Sequence, residues 1–349
     1  MKPEKITIMD IARRTGLSKG TVDRVLHNRS EVSAKSREKV MSAIRELGYE
    51  PNLHASLLAS GKQVRIVLLI PSPASGSFWT LSAAGLEQAA ETVGPLGVKL
   101  ECETYDQYDL TSFRLACDRL LRDEPSGVVL APMFRYESYR FAESLSERGI
   151  PFTLIDTKLD HDAYLAYFGM SGYQSGYLCA DQLTGGKPIE SALVVRVLPD
   201  RDRQSDPTEA RRSGFTDYLS EHSPGCRILE CFIDPSNRDQ TDRTLDEVFA
   251  AHPGLRHIVM FNSRIYGIVP WLEDHPQADR RVVGFDNLEA NLAALRSGTV
   301  SVLIAQRPGE QVARAVQALT DWLLMDKKPA RKDNHMHMDI LTRYNIEYY

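Results

Sequence analysis

From Val64 onward the chain repeats one unit, a short apolar run followed by a helix-length amphipathic stretch. The runs read RIVLLIP, VKLECETY, SGVVLAP, IPFTLIDT, SALVVRVLP, CRILECFID, LRHIVMFN, RRVVGFD and VSVLIAQ. Apolar residues stand side by side in these runs, a pattern suited to parallel strands covered on both faces. Strands alternating with helices in this way predict a doubly wound α/β body. Its length, about 285 residues, suggests two similar lobes. In such sheets ligands bind outside the carboxyl ends of the strands.

The first 62 residues are different in kind. They carry six Lys and six Arg against seven acidic residues, about +5, whereas the whole chain is at −5, leaving about −10 for the rest. A basic head on an acidic body fits a small module that meets phosphate. The same residues spell three short helices. Thr7 can cap the first, with Asp10 three residues on, Ile8, Ile11 and Ala12 on one face and Gly16 as the break. Ser18 caps the second, SKGTVDRVLHN, whose Val22, Val25 and Leu26 face inward. Ser33 caps the third, with Val40, Ile44 and Leu47 as its stripe and Gly48 as its stop. Helix, tight glycine turn, helix is the helix-turn-helix arrangement, which lays its second helix in the major groove of DNA.

The run TIMDIARRTGLSKGTVDRVLHNRSEVSAKSREKVMSAIRELGYEPN resembles the DNA-binding headpiece of the lac repressor family, from Thr7 to Asn52. The resemblance implies that Lys19 and Gly20 occupy base-reading positions at the start of the recognition helix. Thr21 and Arg24 then contact phosphate and base edges, and Thr7 and Ser18 are helix starts near the backbone. It extends the DNA-contacting set to Asp23, Asn28, Ser33, Asn52, Ala55 and Leu58. For Thr7, Ser18 and Thr21 a purely capping role competes, although a cap can also donate to phosphate. Two positions depart from the family. Gly20 offers no side chain for readout, and Asp23 stands where Ser is common; it either accepts from a cytosine amino group or, the preferred reading, pairs with Arg24 or Arg29.

LHASLLASGK, after Pro51 and Asn52, is a helix-competent segment too short to be stable alone. The family uses this segment as a hinge helix, and Leu58 matches the leucine that wedges between base steps in the minor groove. The expected organisation is therefore a headpiece at 1–50, a hinge at 51–62 and a two-lobed body at 63–349 that resembles the periplasmic binding proteins. The lobes are expected at 63–168 plus 288–307 and at 169–287 plus 308–349, with crossovers near Phe168 to Gly172, Asp286 to Leu288 and Gln306 to Gly309.

Polar residues stand at the ends of the apolar runs, at Ser72, Asp156, Asn262, Asp286 and Gln306, and several match effector-binding positions of the family. Carboxylates and amides suit polyols, because a carboxylate accepts from two vicinal hydroxyls and an amide both donates and accepts. Phe78 and Trp79 suit stacking on a sugar face or a base, or else packing of their own helix. Glu209 stands where many relatives carry a ligand-contacting Arg, with Arg211 one helical step away. FGMSG (168–172) lacks the Asp often found at that crossover, and no aromatic residue follows Asp234. A sugar or sugar derivative is the preferred effector, with a nucleobase or phosphorylated metabolite as the alternative. Arg196, Arg201 and Arg203 are read as a solvated loop rather than an anion site.

Other classes are disfavoured. The longest apolar run, Ile66 to Ile70, falls far short of a bilayer span, and the N-terminus, with Lys2, Glu4, Lys5 and Asp10, lacks a signal-peptide core, so a cytoplasmic protein is expected. That weighs against a transport receptor with a similar body. No nucleophile elbow, dinucleotide fingerprint, phosphate loop or H-E-x-x-H occurs, and no catalysis or cofactor is assigned, although a sugar- or nucleotide-processing enzyme tethered to DNA is the remaining competitor. His335 and His337 share one face of an expected last strand, opposite Met336 and Met338, without a third metal ligand. Five cysteines without a C-x-x-C pair read as reduced, mostly buried thiols. The closing RYNIEYY is not an apolar heptad tail, so a homodimer reading a pseudo-palindromic operator is expected, without a tetramer-forming extension.

Overall fold

A computed structural model describes residues 6–26, 32–47, 63–198 and 207–349. The chain separates into two compact units, 1–62 and 63–349.

The first unit contains the helices Ile8–Thr15, Lys19–Leu26 and Ala34–Leu47. Their apolar stripes meet in one small core of Ile11, Val22, Val25, Val40 and Ala43, with Ile8, Ala12, Leu26, Ile44 and Leu47 packed against it. Each start is held by a short side chain. The Asp10 carboxylate accepts from both the backbone N–H and the hydroxyl of Thr7, which holds its pKa below the ordinary value. Ser18 Oγ accepts from the Thr21 N–H at 3.1 Å and Ser33 Oγ from the Ser36 N–H at 3.2 Å. Gly16 (φ 68°) closes the first helix in the left-handed conformation that glycine adopts without penalty.

The second unit is built on two six-stranded sheets. In chain order the strands are β1 (Val64–Pro71), β2 (Val98–Tyr105), β3 (Gly127–Leu130), β4 (Phe152–Ile155), β5 (Ala166–Gly169), β6 (Ser191–Val197), β7 (Arg227–Ile233), β8 (His257–Val259), β9 (Arg281–Phe285), β10 (Val302–Ala305), β11 (Asp333–His335) and β12 (Asp339–Leu341). The sheet orders are β11-β5-β4-β3-β1-β2 and β12-β10-β9-β8-β6-β7. All pairings are parallel except that of β10 with β12. The two sheets therefore share one topology, and β4 in the first corresponds to β9 in the second.

The nine apolar runs fall on β1–β4 and β6–β10, with the central strands buried on both faces and the edge strands β2 and β7 partly exposed. The expected lobe division is corrected. Residues 288–307 do not cross to the first lobe, because β10 pairs in parallel with β9 (Val302 beside Val283). Nor does 308–349 belong wholly to the second. The helix Pro308–Met325 buries Val312, Ala315, Val316 and Leu319 in the first lobe, and β11 joins that sheet beside β5. Asp286 to Leu288 is thus no crossover; the chain passes between lobes after β5, after β10 and between β11 and β12. The expected last strand is in fact two, so His335 and His337 do not share a strand face: Met336 packs into the first lobe and Met338 against the second.

Within each lobe a pair of helices crosses backbone on backbone. A Cβ added to Gly85, in the helix Phe78–Val93, falls 2.4 Å from Gly309 Cα. One added to Gly176, in Gly172–Thr184, falls 1.8 Å from the carbonyl oxygen of Arg211, in Pro207–His222.

Candidate functional site

The carboxyl ends of the parallel strands in both lobes face a cleft of about 1110 Å³. Seven of the nine expected effector residues line it: Phe78, Trp79, Asp156, Arg211, Asn262, Asp286 and Gln306. The other two do not. Ser72 turns back onto the strand end, its N–H and hydroxyl both donating to the carbonyl of Tyr105. Glu209 is held in a separate small recess by Arg196, at 3.2 Å. The expected solvated loop is corrected for Arg196, which lies on β6 with its side chain largely buried in this ion pair, whereas Arg201 and Arg203 lie outside the described residues.

The inner end of the cleft holds charge where water is scarce. Arg211 and Asp286 are only 6% and 2% exposed. The Arg211 guanidinium lies 4.4 Å over the Phe285 ring and donates to the Phe261 carbonyl, while its Nε has no hydrogen-bond partner. Asp156 and Asp286 follow the corresponding strands β4 and β9, and both have left-handed backbones, φ 62° and 67°. Aspartate tolerates that region better than most residues, and a turn of this kind ends the strand abruptly and points its last residue into the cleft. Burial pushes both carboxyls up, Asp286 to about 7. The Arg211 charge opposes this at both, and for Asp286 the Gln306 hydrogen bond does too.

A line of amides joins the two carboxylate positions through a crossover between lobes. Gln306 Nε2 donates to Asp286 Oδ1 at 3.0 Å, Gln311 Nε2 donates to the Gln306 carbonyl at 3.0 Å, and Gln311 Oε1 accepts from the Asp156 N–H at 2.9 Å. Beside it Arg307 (φ 53°) forms a two-pronged ion pair with Asp339, at 2.6 and 2.8 Å. Asn262 uses its carbonyl oxygen to accept from the Arg264 N–H at 2.9 Å. Trp79 is buried in the first-lobe core and meets Phe78 edge-on at 5.0 Å, so packing absorbs most of its surface.

Reasoning from strand ends missed the outer residues. Tyr108, Phe134, Tyr136, Arg264 and Tyr266 also line the cleft, on loops or helix starts beyond the strands. Arg264, from the second lobe, donates to the hydroxyl of Tyr108, from the first, and lies over its ring at 5.5 Å. An aromatic residue several positions past a strand leaves no periodic signal.

In the first unit Ser18, Lys19, Gly20 and Arg24 are exposed along the second helix, and Thr21 and Asp23 are half-buried. Thr7 and Ser33 sit at the helix starts described above. Asn28, Asn52, Ala55 and Leu58, with the whole hinge segment 51–62, lie outside the described residues. Among the described residues no group of three His, Cys, Asp or Glu is placed to hold a metal, and no helix is long and apolar enough to cross a membrane. The cysteines are free, with Cys117, Cys179 and Cys231 buried, Cys226 half-buried and Cys102 exposed.

Residues 7–52 match the model for bacterial regulatory proteins of the lacI family, and residues 66–327 that for a periplasmic binding protein domain. The transcriptional regulator GalS of Salmonella typhimurium is 40% identical over 302 residues, 81% of each chain. The regulator DegA of Bacillus subtilis is 27% identical over 325 residues, 88% of this chain and 89% of its own. A Bacteroides fragilis structure described as a LacI transcriptional regulator is 34% identical with a TM-score of 0.76, covering 82% of this chain and 100% of that one. At 20% identity and a TM-score of 0.70, a glucose-galactose binding protein from Geobacillus stearothermophilus shares the fold over 82% of this chain and 99% of its own.

Proposed function

Because this chain belongs to the lacI family of DNA-binding transcriptional regulators, with a helix-turn-helix region joined to a sugar-binding-type body, we propose that it is a repressor whose operator affinity is set by a sugar or sugar derivative held between the lobes. The observation that carries this reading is the inner end of the cleft: two carboxylates from corresponding strands, one buried guanidinium whose charge acts on both, and the amides of Gln306 and Asn262. Vicinal hydroxyls donate to a carboxylate in pairs and accept from a guanidinium fork, so a polyol satisfies acceptors and donors together. Aromatic Phe78 offers a face for the apolar side of a ring.

In the proposed mechanism two copies pair, their headpieces read a pseudo-palindromic operator through Lys19, Thr21 and Arg24, and Leu58 wedges into the minor groove. Sugar binding shifts the angle between lobes and thereby the spacing of the hinge segments. A coupling free energy of roughly 1–3 kcal/mol gives a 5- to 150-fold change in operator affinity, and DNA must then change sugar affinity by the same factor. The test is a thermal-shift screen of the purified protein against sugars, sugar phosphates and nucleobases, followed by titration of the hit with and without operator DNA. A stabilising sugar that alters operator affinity supports the reading. Stabilisation by nucleobases or phosphates alone replaces the sugar, and a sugar without effect on DNA removes the regulatory coupling.

The raised Asp286 carboxyl sets a pH dependence. A ligand hydroxyl donates more strongly to the ionised form of Asp286 than to the neutral acid, so sugar affinity rises with pH, by up to about tenfold per unit below 7, and levels off above it. Without ligand the sign is opposite. The folded protein holds a proton on Asp286 that the unfolded chain has released, so this contribution to stability is present at acid pH and is lost as pH rises toward and through 7. Calorimetric titration between pH 5.5 and 8.5 checks the first and denaturant unfolding of the free protein over the same range the second, and Asp286→Asn flattens the affinity profile.

A further inference from the structure

The cleft exceeds what the inner cluster needs. Pockets that enclose drug-sized ligands run from roughly 300 to 1,000 Å³. A lone hexose, smaller than such ligands, belongs at the lower end of that range, whereas this cleft measures about 1110 Å³. An open pair of lobes would explain the excess, but these lobes already touch at the rim, where Arg264 of the second lobe donates to the Tyr108 hydroxyl of the first and lies over its ring. The space between rim and inner end is therefore present with the lobes already in contact across its mouth.

The lining changes character along that space. Inward stand Asp286, Gln306 and Arg211, almost without exposure. More exposed along the same lining are rings: Tyr108 is 44% and Tyr136 71% exposed, and Phe134 and Tyr266 are half-buried. Flat aromatic faces bearing hydroxyls suit the apolar side of a ring that keeps its own hydroxyls in water. Charged groups at this end are already engaged. Glu137 pairs with Arg114 at 2.5 Å, Asp234 accepts from Ser236, and Asp109 accepts from the Thr111 N–H at 2.8 Å. The outer end therefore offers stacking surface and one shared guanidinium rather than a second ionic site.

Resting on the sugar reading above, we infer that the effector is a glycoside of at least two rings, the inner ring held by Asp156, Arg211, Asp286 and Gln306 and the outer ring by Tyr108 and its aromatic neighbours beneath the Arg264 contact. Tyr108 is then a specificity-determining residue, which selects for chain length rather than for the identity of the inner sugar.

The test uses the full-length protein and calorimetric titration with D-glucose, D-galactose, D-xylose and L-arabinose, each beside disaccharides that carry it at the non-reducing end. The expected result is a disaccharide that binds at least about tenfold more tightly than its own inner monosaccharide, the increment that one stacked ring supplies. Tyr108→Ala brings that ratio close to 1. Tyr108→Phe, which keeps the ring and loses the bridging hydroxyl, retains most of it. Asp286→Asn weakens both ligands together. A monosaccharide that binds as tightly as any of its disaccharides overturns the inference while leaving the sugar reading intact. So does a Tyr108→Ala variant that weakens both ligands by one factor. If no sugar of either length binds while a nucleobase or sugar phosphate does, the sugar reading itself has failed, and the two-ring inference fails with it.

Discussion

Replacing Arg211 by methionine is expected to weaken sugar binding by roughly 100-fold and to destabilise the body by about 3 kcal/mol, the scale on which removal of one partner leaves buried charge uncompensated. The side chain is 6% exposed, and its charge favours ionisation of both Asp156 and Asp286. Burial alone pushes both carboxyls up, and each negative charge makes the other more costly. Methionine is unbranched, flexible and apolar but about two heavy atoms shorter, so the change removes charge and donors while filling most of the space along the stem. Asp286 then titrates above 7, and the pH at which sugar affinity levels off moves up with it. Lysine at this position should restore part of the affinity, because it returns the charge but lacks the planar fork that meets two hydroxyls at once. Denaturant unfolding of the free protein and titration across pH measure the two effects separately. Unchanged affinity in the methionine variant would remove Arg211 from the binding site.

Gly176→Ala is expected to cost about 3 kcal/mol or more and to lower the melting temperature by roughly 6–10 °C, an unusual penalty for one methyl group. The added Cβ would lie 1.8 Å from the Arg211 carbonyl oxygen, and backbone cannot swing aside as a flexible side chain does. The helices Gly172–Thr184 and Pro207–His222 must separate, and the second carries Arg211 with it. A purely structural defect would lower stability and leave the affinity of the folded fraction intact. Displacement of Arg211 predicts a loss of sugar affinity as well, measured below the melting transition. Ala180→Gly, one turn further along the same buried helix face, serves as the comparison, since it loosens packing without pushing on Arg211.

Much of the body was legible because its strands are short and continuously apolar, and all nine runs named from the sequence became strands. β5 was not seen, since AYFG offers four residues with no flanking pattern, and its last residues read as a crossover. Which sheet a strand joins is a matter of pairing rather than of hydrophobicity, and VSVLIAQ looks the same in either lobe. Hydrophobicity alone therefore does not distinguish the two lobes for the segment 288–307 or for the helix Pro308–Met325. The inner site residues were visible as polar residues that end apolar runs, a signal that Asp156, Asn262, Asp286 and Gln306 share. It is not a selective one: Ser72 ends β1 in the same way, but its short side chain reaches the Tyr105 carbonyl first. Glu209 stands at a position where many relatives carry Arg, and with the opposite charge it pairs with Arg196 instead. Tyr108 and Arg264 became partners only when the lobes met, and nothing within 150 residues of either one announces the other.

The interleaving of the lobes has a consequence for how the chain is made. The first sheet has β1 to β5 in place by residue 169, but the helix that covers one of its faces and the strand at its edge come from 308–335. At translation rates of roughly 5–20 residues per second, the ribosome spends on the order of 10–30 s on the intervening second lobe. For that interval the apolar surface awaiting Val312, Val316 and Leu319 has no permanent cover, and the β5 edge has no neighbour. Nascent chains of this design therefore present a sticky half-built lobe to the cell for far longer than the second lobe, whose remainder, 339–349, adds a short edge strand and one turn, and chaperone demand should fall mainly on the half that is begun first and finished last.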